Sequence, residues 1–134
     1  MIKVFYVTPI PKCRQTQRDR WMKRPCVVRY HRFKDEIRKQ KGSWELSLSG
    51  AHIIFHIPMS KSFSKKKRNL LRNTFHQQKP DIDNILKAFL DSLFDNDSVV
   101  CDLRISKLWS DEGKICVINN TCDLMSELES KSIG

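Results

Sequence analysis

Two carboxylates stand two residues apart in Lys79-Pro80-Asp81-Ile82-Asp83-Asn84-Ile85-Leu86-Lys87, just after a proline, and a lysine follows four residues beyond the second. In an extended segment, positions two apart point to the same side. Asp81 and Asp83 would then aim their carboxylate oxygens at one spot while Ile82 turns into the core. Oxygen-only ligands suit a hard cation, and Mg²⁺ typically takes about one or two carboxylates and keeps several waters. More acids follow at Asp97 and Asp102. A small acidic cluster inside a basic chain is what a metal-dependent nuclease requires: cations hold the phosphates and carboxylates hold the metal.

The chain around this cluster has 134 residues and a formal net charge of +10. That length predicts a single domain, residues 1–134, with a core large enough to fold without staples. The charge is unevenly spread. Residues 1–80 hold 20 Lys and Arg against 4 Asp and Glu, whereas residues 81–134 hold 5 against 11. Such asymmetry predicts a polyanionic partner met mainly by the first part of the chain. Nucleic acid is preferred over anionic membrane, because no amphipathic basic helix with a broad aromatic face and no lipidation signal is visible. No stretch is long enough to span a bilayer, and the opening Met1-Ile2-Lys3-Val4-Phe5-Tyr6 lacks the regions of a signal peptide. Cysteines fall at 13, 26, 101, 116 and 122, an odd number without a C-x-x-C pair. The expectation is therefore free thiols in a reducing cytoplasm, with neither a disulfide framework nor a zinc knuckle.

The elements that would position the acids follow from periodicity. Residues 2–8 are apolar and β-prone, and Pro9 and Pro11 end them. Residues 12–24 form a basic loop containing Lys12, Arg14, Arg20, Lys23 and Arg24. Tyr30, Phe33 and Ile37 recur at helical spacing from about Val28 to Lys39. Residues 44–58 read as a strand with an interruption at Gly50, and Ser62 or Ser64 caps a helix running to about Phe75. A helix over Asn84–Phe94 buries Ile85, Leu86, Phe89, Leu90 and Leu93. Residues 99–108 and 114–119 alternate like strands about Ser110-Asp111-Glu112-Gly113, which predicts a hairpin. The tail over 121–134 reads as a weak helix. The class is α+β: one small domain with a mixed β-sheet and packed helices.

Each candidate also has an ordinary structural explanation. Asp83, Lys87 and Asp91 are spaced as a solvated helix stripe. Asp83 could cap a helix, with Asp81 a loop acid beside its positive end. Asp97 lies among Asp95, Asn96 and Ser98, which is turn chemistry, and Asp102 could simply face solvent from a strand. His52 and His56 share a strand face but lack a third ligand. Lys65, Lys66, Lys67 and Arg68 stand at a helix start, where positive charge is unfavourable unless an anion binds.

The segment from His76 to Leu93, followed by Asn96-Asp97-Ser98-Val99-Val100 and Arg104-Ile105-Ser106-Lys107, resembles the RusA family of Holliday-junction resolvases. The family pattern is D-x-D-N-x-x-K-x-x-x-D at a helix entrance, then an acidic turn leading into a strand that ends near a lysine. The opening strand ending in Pro9-Ile10-Pro11-Lys12 is similar too. The resemblance implies a homodimer, dependent on Mg²⁺ or Mn²⁺, that nicks two opposed strands of four-way junction DNA. It implies catalytic acids at Asp81, Asp83 and Asp97, with a catalytic lysine at Lys87. Asp102 matches a position often acidic in the family and is kept as an extra metal ligand. Asn96 and Val99 depart from the family's usual aspartate and glutamine.

Lys79, the 65–68 cluster and the basic loop are expected to hold the DNA arms, in the cytoplasm of a bacterial or phage-infected cell. Two rival functions are a non-catalytic DNA-binding protein and a nuclease preferring forks or flaps.

Overall fold

Odd positions of Ala51–Ile57 are buried and even ones only half-buried, so this strand keeps one face on a core and one face open. It is the central strand of a sheet in a computed structural model that describes residues 2–13 and 25–119. The described elements are β1 (Ile2–Phe5), α1 (Pro25–Lys41), β2 (Ser49–Pro58), α2 (Lys65–Leu71), α3 (Ile82–Leu93), β3 (Asp102–Ser110) and β4 (Lys114–Ile118). The fold is α+β, with a mixed four-stranded sheet in the order β1-β4-β2-β3. β2 pairs parallel with β3, Ile53 opposite Ile105, and antiparallel with β4, Ile53 opposite Val117.

The expected hairpin is therefore corrected. β3 and β4 are not neighbours, because residues 111–113 cross the end of β2 and place the two strands on opposite sides of it. Alternation reveals that both segments are strands but not which strand each one pairs with. Within this crossing Gly113 passes close to Thr8, in the segment after β1. A Cβ there would come within 2.7 Å of the Thr8 Cα, a backbone atom that cannot swing aside. Gly113→Ala is expected to lower stability by about 1–3 kcal/mol, the usual cost of overpacking, readable in a thermal melt.

Helix α1 begins at Pro25, where a missing N–H costs nothing, and buries Tyr30, Phe33 and Ile37 as their spacing predicts. It packs against α3, and both lie over the odd face of β2. Phe89 is fully buried between Phe5 and Phe55, with ring centroids 5.4 and 6.0 Å away in edge-to-face geometry. Arg38 of α1 donates from Nε to the Ser92 carbonyl at 3.2 Å, satisfying an acceptor in the last turn of α3.

Several boundaries differ from expectation. β1 stops at Phe5, and β2 starts at Ser49 rather than 44. Gly50, at φ +78°, sits where the β2–β3 register shifts. Ser64 caps α2 by accepting the Lys67 N–H at 3.1 Å, but the helix ends at Leu71 instead of running to Phe75. Asn73 adopts a left-handed conformation, φ 64°, and Phe75 instead bridges to Leu108 of β3. Cys13 and Cys26 were expected as unrelated free thiols, and the fold sets them side by side with Cα atoms 6.0 Å apart. The Lys12 N–H binds the Asn84 carbonyl at 3.1 Å, and the same segment brings Cys13 to the start of α1, a tertiary closeness that cysteine spacing does not encode. Cys101 and Cys116 are free. The tail over 121–134 lies outside the described residues.

Candidate active site

Asp81 is the N-cap residue of α3, in extended backbone (φ −68°, ψ 143°), and its side chain makes no capping bond. Because the helix starts at Ile82, Asp83 falls in the first turn and the two acids do not lie along one extended segment. This corrects the expected geometry: Ile82 is 38% exposed rather than turned into the core, while Ile85 and Phe89 are fully buried. The helix start nevertheless brings both acids into one cleft of about 720 Å³, which they share with Lys79, Arg104 and Lys107. Among the described residues neither carboxylate has an ion-pair partner. Their oxygens remain available, beside the positive end of a helix.

Lys107 holds the approach to this helix. Its Nζ donates to the carbonyls of Gln78 and Pro80, 2.7 Å each, just before Asp81. Burial lowers its pKa, and the Asp81 charge opposes that shift. His76, also at this cleft, is buried against the Trp109 ring at a centroid distance of 4.3 Å. Burial, then the Lys107 charge, lowers its pKa and favours the neutral ring.

Lys87 and Asp97 line a second cleft of about 780 Å³, together with Asn84, Lys12, Tyr30 and Asp91. The helix-stripe pairing of Lys87 with Asp91 is not formed. Asp91 instead meets Lys12 Nζ at 2.7 Å and accepts the Tyr30 hydroxyl at 2.8 Å. Burial works to raise the Asp91 pKa, but these two hydrogen bonds and the Lys12 and Lys34 charges outweigh it and leave the group more acidic. Burial, then the bond to Asp91, raises the Tyr30 pKa. Asp97 opens a short 3₁₀ turn, Asp97–Val99, capped by Asn96, whose Oδ1 accepts the Ser98 N–H at 3.1 Å. The Asn at the family's aspartate position thus serves as a cap.

Asp81 and Asp83 are brought together, and Asp97 sits with Lys87 in the adjoining cleft. Asp102 is exposed at the start of β3 and lines neither cleft. Among the described residues no three His, Cys, Asp or Glu side chains converge as a metal-binding group. The Asp81–Asp83 donor set still fits a hard cation, which needs only one or two carboxylates and fills the rest of its shell with water.

Of the expected DNA contacts, Lys79 is exposed at the first cleft and Lys65, Lys66 and Lys67 are exposed on α2. Lys12 is paired with Asp91, and Arg68 donates to the carbonyls of Phe63 and Ser60. Arg14, Arg20, Lys23 and Arg24 lie outside the described residues. No helix among the described residues is long and apolar enough to cross a membrane. Reading the residues in order missed roles for Arg104, Lys107, His76 and Tyr30. Lys107 stands inside the resembling segment, but nothing in local spacing directs it to carbonyls 27 and 29 residues away.

Residues 6–118 match the family described as Endodeoxyribonuclease RusA. The chain belongs to the RusA endodeoxyribonuclease family. It is also similar to the uncharacterized protein YqaN of Bacillus subtilis (strain 168), 41% identical over 71 residues, which is 46% of this chain and 48% of that protein. The match thus spans about half the length of this curated relative. No solved structure matches the chain.

Proposed function

We propose that the protein is a divalent-metal-dependent endonuclease that resolves four-way DNA junctions by paired nicks, acting as a homodimer in the cytoplasm of a bacterial or phage-infected cell. The observation that carries this reading is the pair of carboxylates, Asp81 and Asp83, without an ion-pair partner among the described residues, in a cleft flanked by Lys79 and Arg104. Asp81 and Asp83 would hold Mg²⁺ or Mn²⁺, with Asp97 and Asp102 as further acids. When bound, the ion supplies charge neutralisation at the phosphate and acidity for a water nucleophile.

The chain's own residues do the rest. Lys107 fixes the backbone that presents Asp81. Lys79 and Arg104 neutralise the DNA strand entering the cleft. Lys87 stabilises charge that develops on the phosphate or the leaving oxygen. Two-fold symmetry of a homodimer matches a substrate with two equivalent strands to cut.

The test is cleavage of a synthetic four-way junction with and without Mg²⁺, beside a fork, a flap and a plain duplex. Metal-dependent, symmetric nicks in the junction support the reading. Binding that Mg²⁺ never converts to cleavage would return the protein to the non-catalytic class, and preference for forks or flaps would replace the substrate.

Electrostatics gives a second expectation. With on the order of six phosphate contacts, junction affinity should fall roughly a thousandfold between about 50 and 200 mM salt. Replacing Lys65, Lys66 and Lys67 together by Ala should reduce the log–log salt slope by about 3. A slope equal to that of the wild type would make the cluster a solvated helix end.

A further inference from the structure

Phe75 lines the same cleft as Asp81 and Asp83, yet it is 69% exposed. Isolated exposed apolar residues are ordinary and carry nothing alone. This one is held in place by its backbone. The Asn73 N–H binds the Trp109 carbonyl, the Trp109 N–H binds the Thr74 carbonyl, and the His76 N–H binds the Lys107 carbonyl, each at 2.9 Å. Phe75 itself bridges to Leu108. The alternation of a short added strand sends His76 into the interior and leaves Phe75 outside. The ring therefore cannot reach the core without breaking this pairing. Beside it stand Gln77 and Gln78, exposed residues whose side-chain amides make no hydrogen bond among the described residues, and then Lys79. Arg104 completes the lining from the edge strand β3.

An anchored aromatic face, free amides, two outlying cations and a carboxylate pair in one cleft match the parts of a nucleotide: base, base edge, phosphate and metal. We infer that Phe75 is a stacking platform for a nucleobase whose neighbouring phosphate is met by Lys79 and Arg104 in the cleft of Asp81 and Asp83, with Gln77 and Gln78 along the edge of that base. This inference rests on the nuclease reading above and specifies what the cleft selects. Every base has a π-face, so the ring accepts any of them, while a glutamine amide can add a preference for adenine. A base inside an intact duplex already has stacking partners and is costly to extract, whereas a base at a branch point is not. The platform thus favours branched DNA over uninterrupted duplex.

The experiment is a binding cycle in metal-free buffer, with wild type, Phe75→Ala and Phe75→Trp each titrated with a four-way junction. The junction is used either intact or with abasic sites at the crossover. Phe75→Ala should weaken binding to the intact junction by roughly 5- to 100-fold, the worth of one stacked base, and Phe75→Trp should restore it. The abasic junction should cost the wild type a similar factor and cost Phe75→Ala little more, and duplex affinity should not respond to Phe75. Additive losses, or an unchanged Phe75→Ala protein, overturn the platform. Cleavage in Mg²⁺ separates the two readings. A wild type that shows the cycle but never cuts overturns the nuclease reading and leaves the platform. A wild type that cuts while the losses add overturns the platform alone.

Discussion

Asp83→Asn should lower junction cleavage by at least about a thousandfold, the scale on which loss of one member of a catalytic unit is felt, while junction binding stays equal or tightens. The substitution keeps the size and shape of the side chain and removes only its charge. Asp83 sits in the first turn of α3 with no ion pair among the described residues, so little of the fold depends on it. Its interaction with the helix end is worth about 0.3–1 kcal/mol, too little to unfold the protein. Loss of activity and loss of structure are therefore separable. Single-turnover cleavage and gel-shift binding on the same junction check the prediction, with a thermal melt as control. Removing a negative charge from a cleft that receives phosphate predicts the tighter binding. Asp81→Asn and Asp97→Asn should behave in the same way. An Asp83→Asn protein that cuts at the wild-type rate would remove the carboxylate pair from the chemistry.

Lys87→Ala should reduce cleavage by about 10²–10³ with little change in junction binding, as expected when a donor aimed at developing charge is lost. The alternative was a surface ion pair with Asp83 or Asp91, whose loss costs a few tenths of a kcal/mol and little activity. Neither pair is formed, and Asp91 is occupied by Lys12 and Tyr30. Lys87 instead faces the cleft that contains Asp97, and it has no ion-pair partner among the described residues. Lys87→Arg sharpens the test. It preserves charge but replaces a compact ammonium with a wide planar fork, which a closely built site rejects and a solvated helix face tolerates. Full activity in Lys87→Ala would exclude Lys87 from the site.

The chain order of helices and strands, and the residues they bury, were largely legible in the sequence. Tyr30, Phe33 and Ile37 occupy the buried face of α1, and Ile85, Phe89 and Leu90 that of α3, because a 3.6-residue period survives any tertiary arrangement. Pairing partners were not legible. Whether β4 lies beside β3 or across β2 depends on tertiary pairing, and a local pattern carries no trace of it. The acids of the site were legible as types and spacing, but their geometry was misread: a helix starting two residues early turns an extended pair into a cap and a first-turn residue. The Lys107 carbonyl bonds and the closeness of Cys13 to Cys26 were hidden for the same reason as the strand order, since both involve residues that only the folded chain brings together.

The placement of β1 has a kinetic consequence. Residues 2–5 pair with residues 115–118, so β1, which precedes the other described strands, waits for the last described one before it can join the sheet. Closing that long loop is entropically slow, and such distant pairings delay folding. α3 and β3, which line the first cleft, and β2, which pairs with β3, are synthesised together within residues 49–110 and can associate earlier. Among the described strands, a nascent chain therefore leaves the apolar β1 unpaired longest, and β1 is the one furthest in the sheet from the acids. Weakening β1, for example with a polar residue at Phe5, should slow completion of the fold and raise losses to aggregation during synthesis before it alters the chemistry of the cleft.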